Sequence, residues 1–389
     1  MSRDRFAVLA IIFAEFAGTS LWFTGTASLD GIAYRNDLGP LARGILLCAV
    51  QIGFILGTMS IAISGLADRF RPSRIFAVSA VVGAAANIAF VRTEDPSLAI
   101  LFRGLTGVAL AGIYPIGMKL ILSWRAGRAG NALSMLVAAL TLGTAFPALS
   151  RAMGQASDAF MDGDRASLLA LVGGVLISIV GDGPALRSSS RLSWNAVREA
   201  FRRPAFRTAA FAYFGHMWEL YAFWAAVPLI LTSLPDLADD RIWWVTFVVI
   251  GSGSVGCLIG GRVSSSKGSR WVARTALTTS ALCCLLAPGL PFVPLVVALA
   301  LTILWGMAVV ADSPHFSALS SQAVPPQWIG SALAIQNAIG FAITLVSIPL
   351  CYALREAWGL WIFWVLAIGP LVGVWILRNG ADARASSLQ

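Results

Sequence analysis

The sequence Gly65-Leu66-Ala67-Asp68-Arg69-Phe70-Arg71-Pro72-Ser73-Arg74 is a short, arginine-rich turn between two long apolar segments. A weaker copy, Gly261-Arg262-Val263-Ser264-Ser265-Ser266-Lys267-Gly268-Ser269-Arg270, follows 196 residues later. The first glycine, a basic residue, a serine and the final arginine hold the same places in both copies. A hydrophilic turn that recurs at half the chain length predicts a protein built from two related halves.

The composition around these turns is that of a membrane protein. The 389 residues are 58% hydrophobic and 12% charged, with a mean hydropathy of +0.78, whereas a soluble domain carries about a quarter charged residues. The apolar segments have the length that crosses a bilayer as a helix, and they are continuous rather than alternating, which excludes strands. We predict an all-α membrane protein with spans at 6–28, 42–64, 74–92, 97–122, 129–150, 166–182, 208–232, 242–262, 271–290, 292–320, 328–353 and 357–378.

The placement of charge predicts the orientation of these spans. The net charge is +9, and the basic residues collect in alternate loops, at Arg3 and Arg5, Arg69 to Arg74, Arg125 and Arg128, Arg187 to Arg207, Arg262 to Arg270, and Arg378 and Arg384. The loops between them carry acidic residues, as at Asp158 to Asp164. Because basic loops stay in the cytoplasm, both termini are predicted to be cytoplasmic, and the first apolar segment is read as an uncleaved span.

Two further pairs of segments support a repeat. Gly107 to Pro115 matches Gly306 to Pro314 at an offset of 199, and Gly130 to Leu133 matches Gly330 to Leu333 at an offset of 200. The predicted organisation is a six-helix half at 1–182, a cytoplasmic linker at 183–207 and a second six-helix half at 208–389. Within the linker, Trp194, Val197 and Phe201 recur at helical spacing among arginines, which suits an amphipathic helix on anionic lipid.

With these motifs in place, the chain resembles the major facilitator superfamily of secondary transporters, of the bacterial type with twelve spans. Gly65 to Arg74 resembles the signature loop of that family between spans two and three, with Asp68 and Arg69 matching and Pro72 replacing a glycine. Arg103-Gly104-Leu105-Thr106-Gly107 resembles the motif Arg-x-x-Gln-Gly of span four, with Thr106 in place of glutamine. Gly143-Thr144-Ala145-Phe146-Pro147 is a remnant of the antiporter signature, with Phe146 where the family has glycine.

The resemblance implies a mechanism of alternating access. A substrate site is expected between the halves near the midplane, lined by spans one, four, seven and ten. The signature loop implies a conformational latch in which Asp68 pairs with an arginine or a helix N-terminus across the interface. Its alternative is a solvated turn whose arginines only set the orientation. The latch residues are Gly65, Asp68, Arg69, Arg71 and Arg74.

Ionisable residues inside spans are costly and usually functional. Both histidines of the chain lie three residues from a carboxylate, so each pair shares a helix face. We expect the acids and histidines to form one cluster slightly cytoplasmic of the membrane centre. Carboxyl and imidazole groups can carry protons, so proton coupling is one interpretation, a cation or metal site is a second, and mutual neutralisation within the fold is a third. Lys119 lies near the cytoplasmic end of its span, and in the simplest interpretation its amine extends to the membrane surface. The proton-coupling residues are Glu15, Arg103, His216, Glu219, Asp312 and His315, and Arg103 could also contact an anion.

Aromatic and amide side chains are a second signal for a site. Aromatic walls suit an amphipathic solute or a cation, although tryptophan also occurs at membrane interfaces and in packing. Amides inside spans can bind a substrate or join helices. The candidate cavity residues are Trp22, Tyr114, Trp218, Tyr221, Trp224, Trp305, Asn131, Gln336 and Asn337.

The motifs of enzymes do not occur in the sequence. It has no Ser-His-Asp arrangement or phosphate-binding Gly-Lys-Ser/Thr loop, and its five cysteines lack metal-ligand spacing. We therefore expect a proton-coupled secondary transporter for a small solute in the inner membrane, acting as a monomer without cofactor or nucleic acid, with efflux slightly favoured over uptake. The alternatives are a transition-metal or other cation carrier that uses His216, Glu219, Asp312 and His315, and a non-transporting scaffold or sensor on the same fold.

Overall fold

The computed structural model describes residues 3–35, 37–124, 129–154, 159–186 and 192–385, without the side chains of 34–35, 129–131, 159–160 and 381–385. Asn131 as a side chain, and the loop charges predicted at Arg125, Arg128, Asp158, Arg187 and Arg384, therefore lie outside this description. The helices are α1 (Arg3–Thr19), α2 (Thr24–Ala27), α3 (Leu29–Arg35), α4 (Pro40–Ser64), α5 (Leu66–Arg69), α6 (Pro72–Arg92), α7 (Pro96–Ala111), α8 (Tyr114–Trp124), α9 (Ala129–Met153), α10 (Ala159–Val180), α11 (Trp194–Arg202), α12 (Pro204–Leu231), α13 (Ile242–Lys267), α14 (Ser269–Leu286), α15 (Leu295–Ala311), α16 (Ser313–Gln322), α17 (Ile329–Trp358) and α18 (Ile362–Ala385).

The described residues form helices and turns without a strand, as the sequence predicts. Nine segments among them are long and apolar enough to cross a membrane by length and composition, and one of these, 326–380, contains both α17 and α18. The predicted spans one and seven are not among the nine. Helix α1 has only 17 residues, and α12 carries Arg207, His216 and Glu219, yet α1 packs against α10 and α9 and α12 packs against α18 and α17.

Spans four and ten are each broken at the position that the sequence repeat aligns. Span four consists of α7 and α8, which meet at Gly112 and Ile113, and span ten consists of α15 and α16, which meet at Asp312. Pro115 and Pro314 lie directly after the two breaks and have no N–H to donate to the preceding turn. A proline at the aligned position therefore interrupts the helix in both spans.

Span one departs from its predicted form as a continuous helix over 6–28. Helix α1 ends at Thr19, and the chain turns before α2 begins at Thr24. The turn has the tighter bonding of a 3₁₀ segment, since the N–H of Trp22 donates to the carbonyl oxygen of Thr19 at 3.0 Å. Inside a membrane the carbonyl groups freed by such a turn need other donors.

Glycines bring two pairs of helices into backbone contact. In the first six spans, a Cβ on Gly53 of α4 would strike the carbonyl oxygen of Gly104 in α7, and a Cβ on Gly107 would strike that of Val50. In the last six, a Cβ on Gly256 of α13 would strike the backbone of Met307 in α15, and one on Gly306 that of Val249. Small residues allow this close approach of membrane helices, and the two pairs occupy positions related by the sequence repeat.

Two pairs of helices join the first six spans to the last six. Helix α4 packs along α17, where Gly44 lies against Pro349 and the thiol of Cys48 lies 3.7 Å from the carbonyl oxygen of Thr344. Helix α9 packs along α13, where the hydroxyl of Ser254 donates to the carbonyl oxygen of Ala138 at 2.9 Å. These contacts run along both helix pairs, so the interface is closed through the depth of the bundle.

Candidate functional site

Six aromatic side chains meet at the closed interface, and we call them the aromatic cluster: Trp22, Phe23, Phe54, Tyr221, Trp224 and Phe341. The ring of Trp22 stacks on Phe341 with centroids 5.7 Å apart and lies 5.6 Å from Tyr221. Phe54 and Phe341 join helices α4 and α17 at 4.5 Å. The sequence predicts Trp22, Tyr221 and Trp224 as cavity residues, and the fold brings these three together.

Several polar atoms on spans one, two, seven and eleven are buried without a hydrogen-bond partner. They are the indole nitrogens of Trp22 and Trp224, the amide oxygen of Gln51, and both amide atoms of Gln336. Buried polar groups are nearly always paired, and each unpaired one costs about 1–3 kcal/mol. The closed interface therefore contains hydrogen-bonding capacity that the protein itself does not use.

A small cavity remains within this region. Its volume of about 10 Å³ leaves room for about one water molecule, and residues of spans one, two, four, seven and eleven surround it. Its lining includes Trp22, Thr26, Gln51 and Arg103. The closed interface thus excludes any larger solute from this position.

Arg103 lies beside the break in span one. Its side chain is 1% exposed, and its Nη1 and Nη2 atoms donate to the carbonyl oxygens of Leu21 and Trp22 at 3.2 and 2.6 Å. The guanidinium carbon also lies 5.0 Å from the ring centre of Phe90. The arginine thus satisfies the carbonyl groups freed by the turn after α1 and fixes the backbone of Trp22.

His216 and Asp312 form a buried pair between spans seven and ten. Nδ1 of His216 lies 2.9 Å from Oδ1 of Asp312, and each side chain is 1% exposed. The imidazole also packs against the rings of Tyr213 and Phe316. Because Asp312 occupies the break between α15 and α16, the pair ties α12 to the least regular point of span ten.

Glu219 belongs to a separate network that faces spans nine and ten. Its Oε1 atom accepts hydrogen bonds from the hydroxyl of Ser280, the thiol of Cys284 at 3.1 Å and the indole nitrogen of Trp305 at 2.6 Å. The carboxyl group is buried and repels Asp312 when both are ionised. Three donors on one oxygen hold the carboxylate inside the last six spans.

The predicted single cluster of acids and histidines is therefore divided. His315 turns away from Asp312, with Nδ1 3.3 Å from the hydroxyl of Ser269 and Nε2 near Gly260. Glu15 lies in the first six spans against Gly117, with neither carboxylate oxygen paired. Within the described part of the chain, no three His, Cys, Asp or Glu side chains are grouped so as to hold a metal ion.

Some predicted cavity residues lie elsewhere. The indole nitrogen of Trp218 donates to the carbonyl oxygen of Val365 in α18 at 3.0 Å, and Trp305 packs on Phe223 beside Glu219. Both tryptophans contact neighbours within the last six spans in this structure, and their assignment to the cavity stays a prediction. Tyr114 and Asn337 are half-buried, and the side chain of Asn131 is outside the described residues.

The latch residues lie where α4 ends. Gly65 has a φ of +64° and turns the chain after α4, a conformation that favours glycine. Asp68 accepts a hydrogen bond from Nζ of Lys119 at 2.8 Å, and the same amine donates to the carbonyl oxygen of Ala67. Arg69, Arg71 and Arg74 are exposed. The contact of Asp68 with Lys119 lies within the first six spans. The amine of Lys119 therefore binds a carboxylate of the protein and does not only extend towards the membrane surface.

Residues in the second described part of the linker, from 192 onward, bridge the two sets of spans. The N–H of Leu192 donates to the carbonyl oxygen of Ala62 in α4 at 3.1 Å. The N–H of Ser193 donates to the hydroxyl of Ser331 in α17 at 3.0 Å. Helix α11 follows, with Trp194 64% exposed and Ala200 buried.

Five residues named at this site were not predicted from the sequence: Phe23, Thr26, Gln51, Phe54 and Phe341. The signal for Gln51 was present, because it is the one amide within the apolar run of α4. Phe54 and Phe341 carried no such signal, since phenylalanine is common on every face of the spans.

Comparison with known proteins adds a family to this geometry. A family model described as Major Facilitator Superfamily matches residues 7–347, which is most of the chain. Among curated proteins, none matches the sequence with significant similarity.

Proposed function

This chain belongs to the major facilitator superfamily, and from that premise we propose that it is a proton-coupled carrier of a small organic solute. Members of the family are secondary transporters in a membrane, which gives the general activity. Proton coupling, the kind of solute, export as the favoured direction and the inner membrane are our proposals.

The observation that carries the proposal is the buried pair of His216 and Asp312. A buried carboxylate is costly unless it is paired and hydrogen-bonded. The strength of the contact between His216 and Asp312 therefore depends on which of the two groups carries the proton. With the proton on His216, the imidazolium and carboxylate attract each other across spans seven and ten. When Asp312 itself is protonated, that attraction weakens, and the break in span ten is less tightly held to α12.

Transport in proteoliposomes tests the proposal. Uptake or export of a substrate is measured with and without a pH gradient for the wild type, Asp312→Asn and His216→Gln. We expect the wild type to respond to the gradient and both variants to lose that response. His315→Gln is the matched control, since it removes the other histidine without touching the pair. Transport that ignores the gradient, or that survives unchanged in Asp312→Asn, would exclude this coupling pair.

Two parts of the predicted mechanism stay predictions. The latch at Gly65, Asp68, Arg69, Arg71 and Arg74 requires a contact across the interface between the two sets of spans. The division of the chain into halves at 1–182 and 208–389 is supported by the paired helix breaks. A transition-metal carrier is not favoured, because no group of three ligands occurs among the described residues.

A further inference from the structure

Arg103 is a buried cation whose charge is not matched by an acid. Among the described residues, no carboxylate oxygen lies within the 4.0 Å of an ion pair, and its partners are two backbone carbonyl groups and the ring of Phe90. Its Nε atom has no acceptor. Burial of an ion without a counterion costs several kcal/mol, so the site favours an added negative charge.

The neighbours of Arg103 suit one kind of molecule. Trp22 and Gln51 line the same small cavity as the guanidinium group, and the indole nitrogen of Trp22 is a second donor without an acceptor. The rings of Phe23 and Trp224 continue the apolar wall, packed edge to face at 5.8 Å. The region thus combines a positive charge and an unused donor with broad aromatic surfaces.

We propose that this cavity is the closed form of a subsite that binds the carboxylate of an aromatic organic anion. Guanidinium groups bind carboxylates through two parallel hydrogen bonds. Nε of Arg103 has no acceptor and supplies one unused donor for such a contact. Aromatic walls would hold the apolar part of the molecule. The inference rests on the proposed function as a carrier and names the class of its solute.

The closed structure has room for only one water molecule at this position, so the anion enters when the interface opens. Trp22 stacks on Phe341 of α17 across that interface, and separation of α4 from α17 would expose Arg103. Because binding occurs at an interface that opens and closes, the closed volume does not limit the size of the solute.

The experiment measures equilibrium binding to the full chain in lipid nanodiscs at constant pH, without a gradient. The probes are indole-3-acetate and phenylacetate, each compared with its neutral amide by isothermal titration calorimetry. We expect the wild type to bind each carboxylate at least about tenfold more tightly than its amide, in line with a charge-assisted hydrogen bond. Arg103→Gln should remove this preference and leave the affinity for the amides within about threefold.

Arg355→Gln is the matched control. Arg355 also donates to a carbonyl oxygen at a helix end, that of Leu229 at 3.0 Å, but it does not line the cavity. This variant should keep the preference for carboxylates. Equal binding of acids and amides, a preference that survives in Arg103→Gln, or no binding by any of the four probes would overturn the proposal.

A second variant serves if Arg103→Gln does not fold. A Cβ on Gly25 would lie 3.0 Å from Nε of Arg103, so Gly25→Ala occupies the space beside the unused donor and keeps the charge. We expect it to weaken carboxylate binding at least about fivefold, and unchanged binding would count against the subsite. Failure of proton coupling at His216 and Asp312 leaves these binding results intact, so the two proposals fail separately.

Discussion

The contact between spans two and four offers a test of the fold by two glycines on one helix. Gly104 and Gly107 lie three residues apart on α7, and both are near α4. A Cβ on Gly107 would lie 2.0 Å from the carbonyl oxygen of Val50, whereas a Cβ on Gly104 would have Ala49 as its nearest neighbour, at 3.9 Å. Gly107→Ala and Gly104→Ala therefore add the same methyl group to very different spaces.

The size of the effect follows from these distances. The Cβ at residue 107 must move from 2.0 Å to at least the 3.4 Å of ordinary contact, which separates the two helices locally by about 1.4 Å. Overpacking of this kind costs about 1–3 kcal/mol. Alanine gains up to about 1 kcal/mol over glycine in a helix, so Gly104→Ala should be neutral or slightly stabilising.

Thermal and denaturant unfolding of the purified variants in detergent gives the measurement. We expect Gly107→Ala to unfold at a lower temperature than the wild type, and Gly104→Ala at the same or a higher temperature. Gly306→Ala should repeat the loss in the last six spans, where its Cβ would meet the backbone of Val249. Equal stability of Gly104→Ala and Gly107→Ala would refute the close packing of α4 and α7.

Two further predictions concern charged groups. Glu219→Gln should lower stability by about 1–3 kcal/mol, because Ser280, Cys284 and Trp305 lose the carboxyl oxygen that accepts their hydrogen bonds. Denaturant unfolding measures the loss, and a variant as stable as the wild type would contradict the network around Oε1. For the predicted latch, Asp68→Asn should shift the carrier towards inward-open states, read by the labelling of cysteines placed at the inner ends of α4 and α17. Lys119→Gln is its control, because that contact lies within the first six spans, and an unchanged labelling pattern in Asp68→Asn would count against the latch.

The sequence predicts most of the long helices well because the length of an apolar run decides them. The breaks in spans four and ten could also be anticipated, since Pro115 and Pro314 lie at aligned positions. The break in span one could not, because no proline or glycine marks residues 20–23 and the turn depends on donors from Arg103 in another span. Tertiary contacts of this kind leave no local pattern.

The direction in which a side chain points was harder to predict than its depth. His216 and Glu219 are three residues apart, which rotates them by about 60° around the helix axis. In a helix with apolar neighbours on every side, that angle sends one to Asp312 in span ten and the other towards Ser280 in span nine. Trp22 and Trp305 each follow a leucine in an apolar segment. Trp22 nevertheless stacks on Phe341 across the interface, whereas Trp305 donates to Glu219 within the last six spans.

Arg103 lies beside the break in span one, and Asp312 lies at the break in span ten. These positions explain how charged groups are accommodated inside a membrane bundle. A break frees backbone groups that lipid cannot satisfy, so Arg103 gains two carbonyl acceptors at the turn of span one. Asp312 gains His216 at the turn of span ten, whereas the aligned residue of span four is Ile113. The chain therefore holds an unmatched cation in its first six spans and the buried pair of His216 and Asp312 in its last six. Closing an interface over an unmatched charge is costly. Under our two proposals, an anion on Arg103 would lower the cost of closure, and the protonation of His216 and Asp312 would set when α12 and span ten separate. This arrangement would let a solute act on the interface between the two sets of spans while a proton acts on the contact of spans seven and ten within the last six.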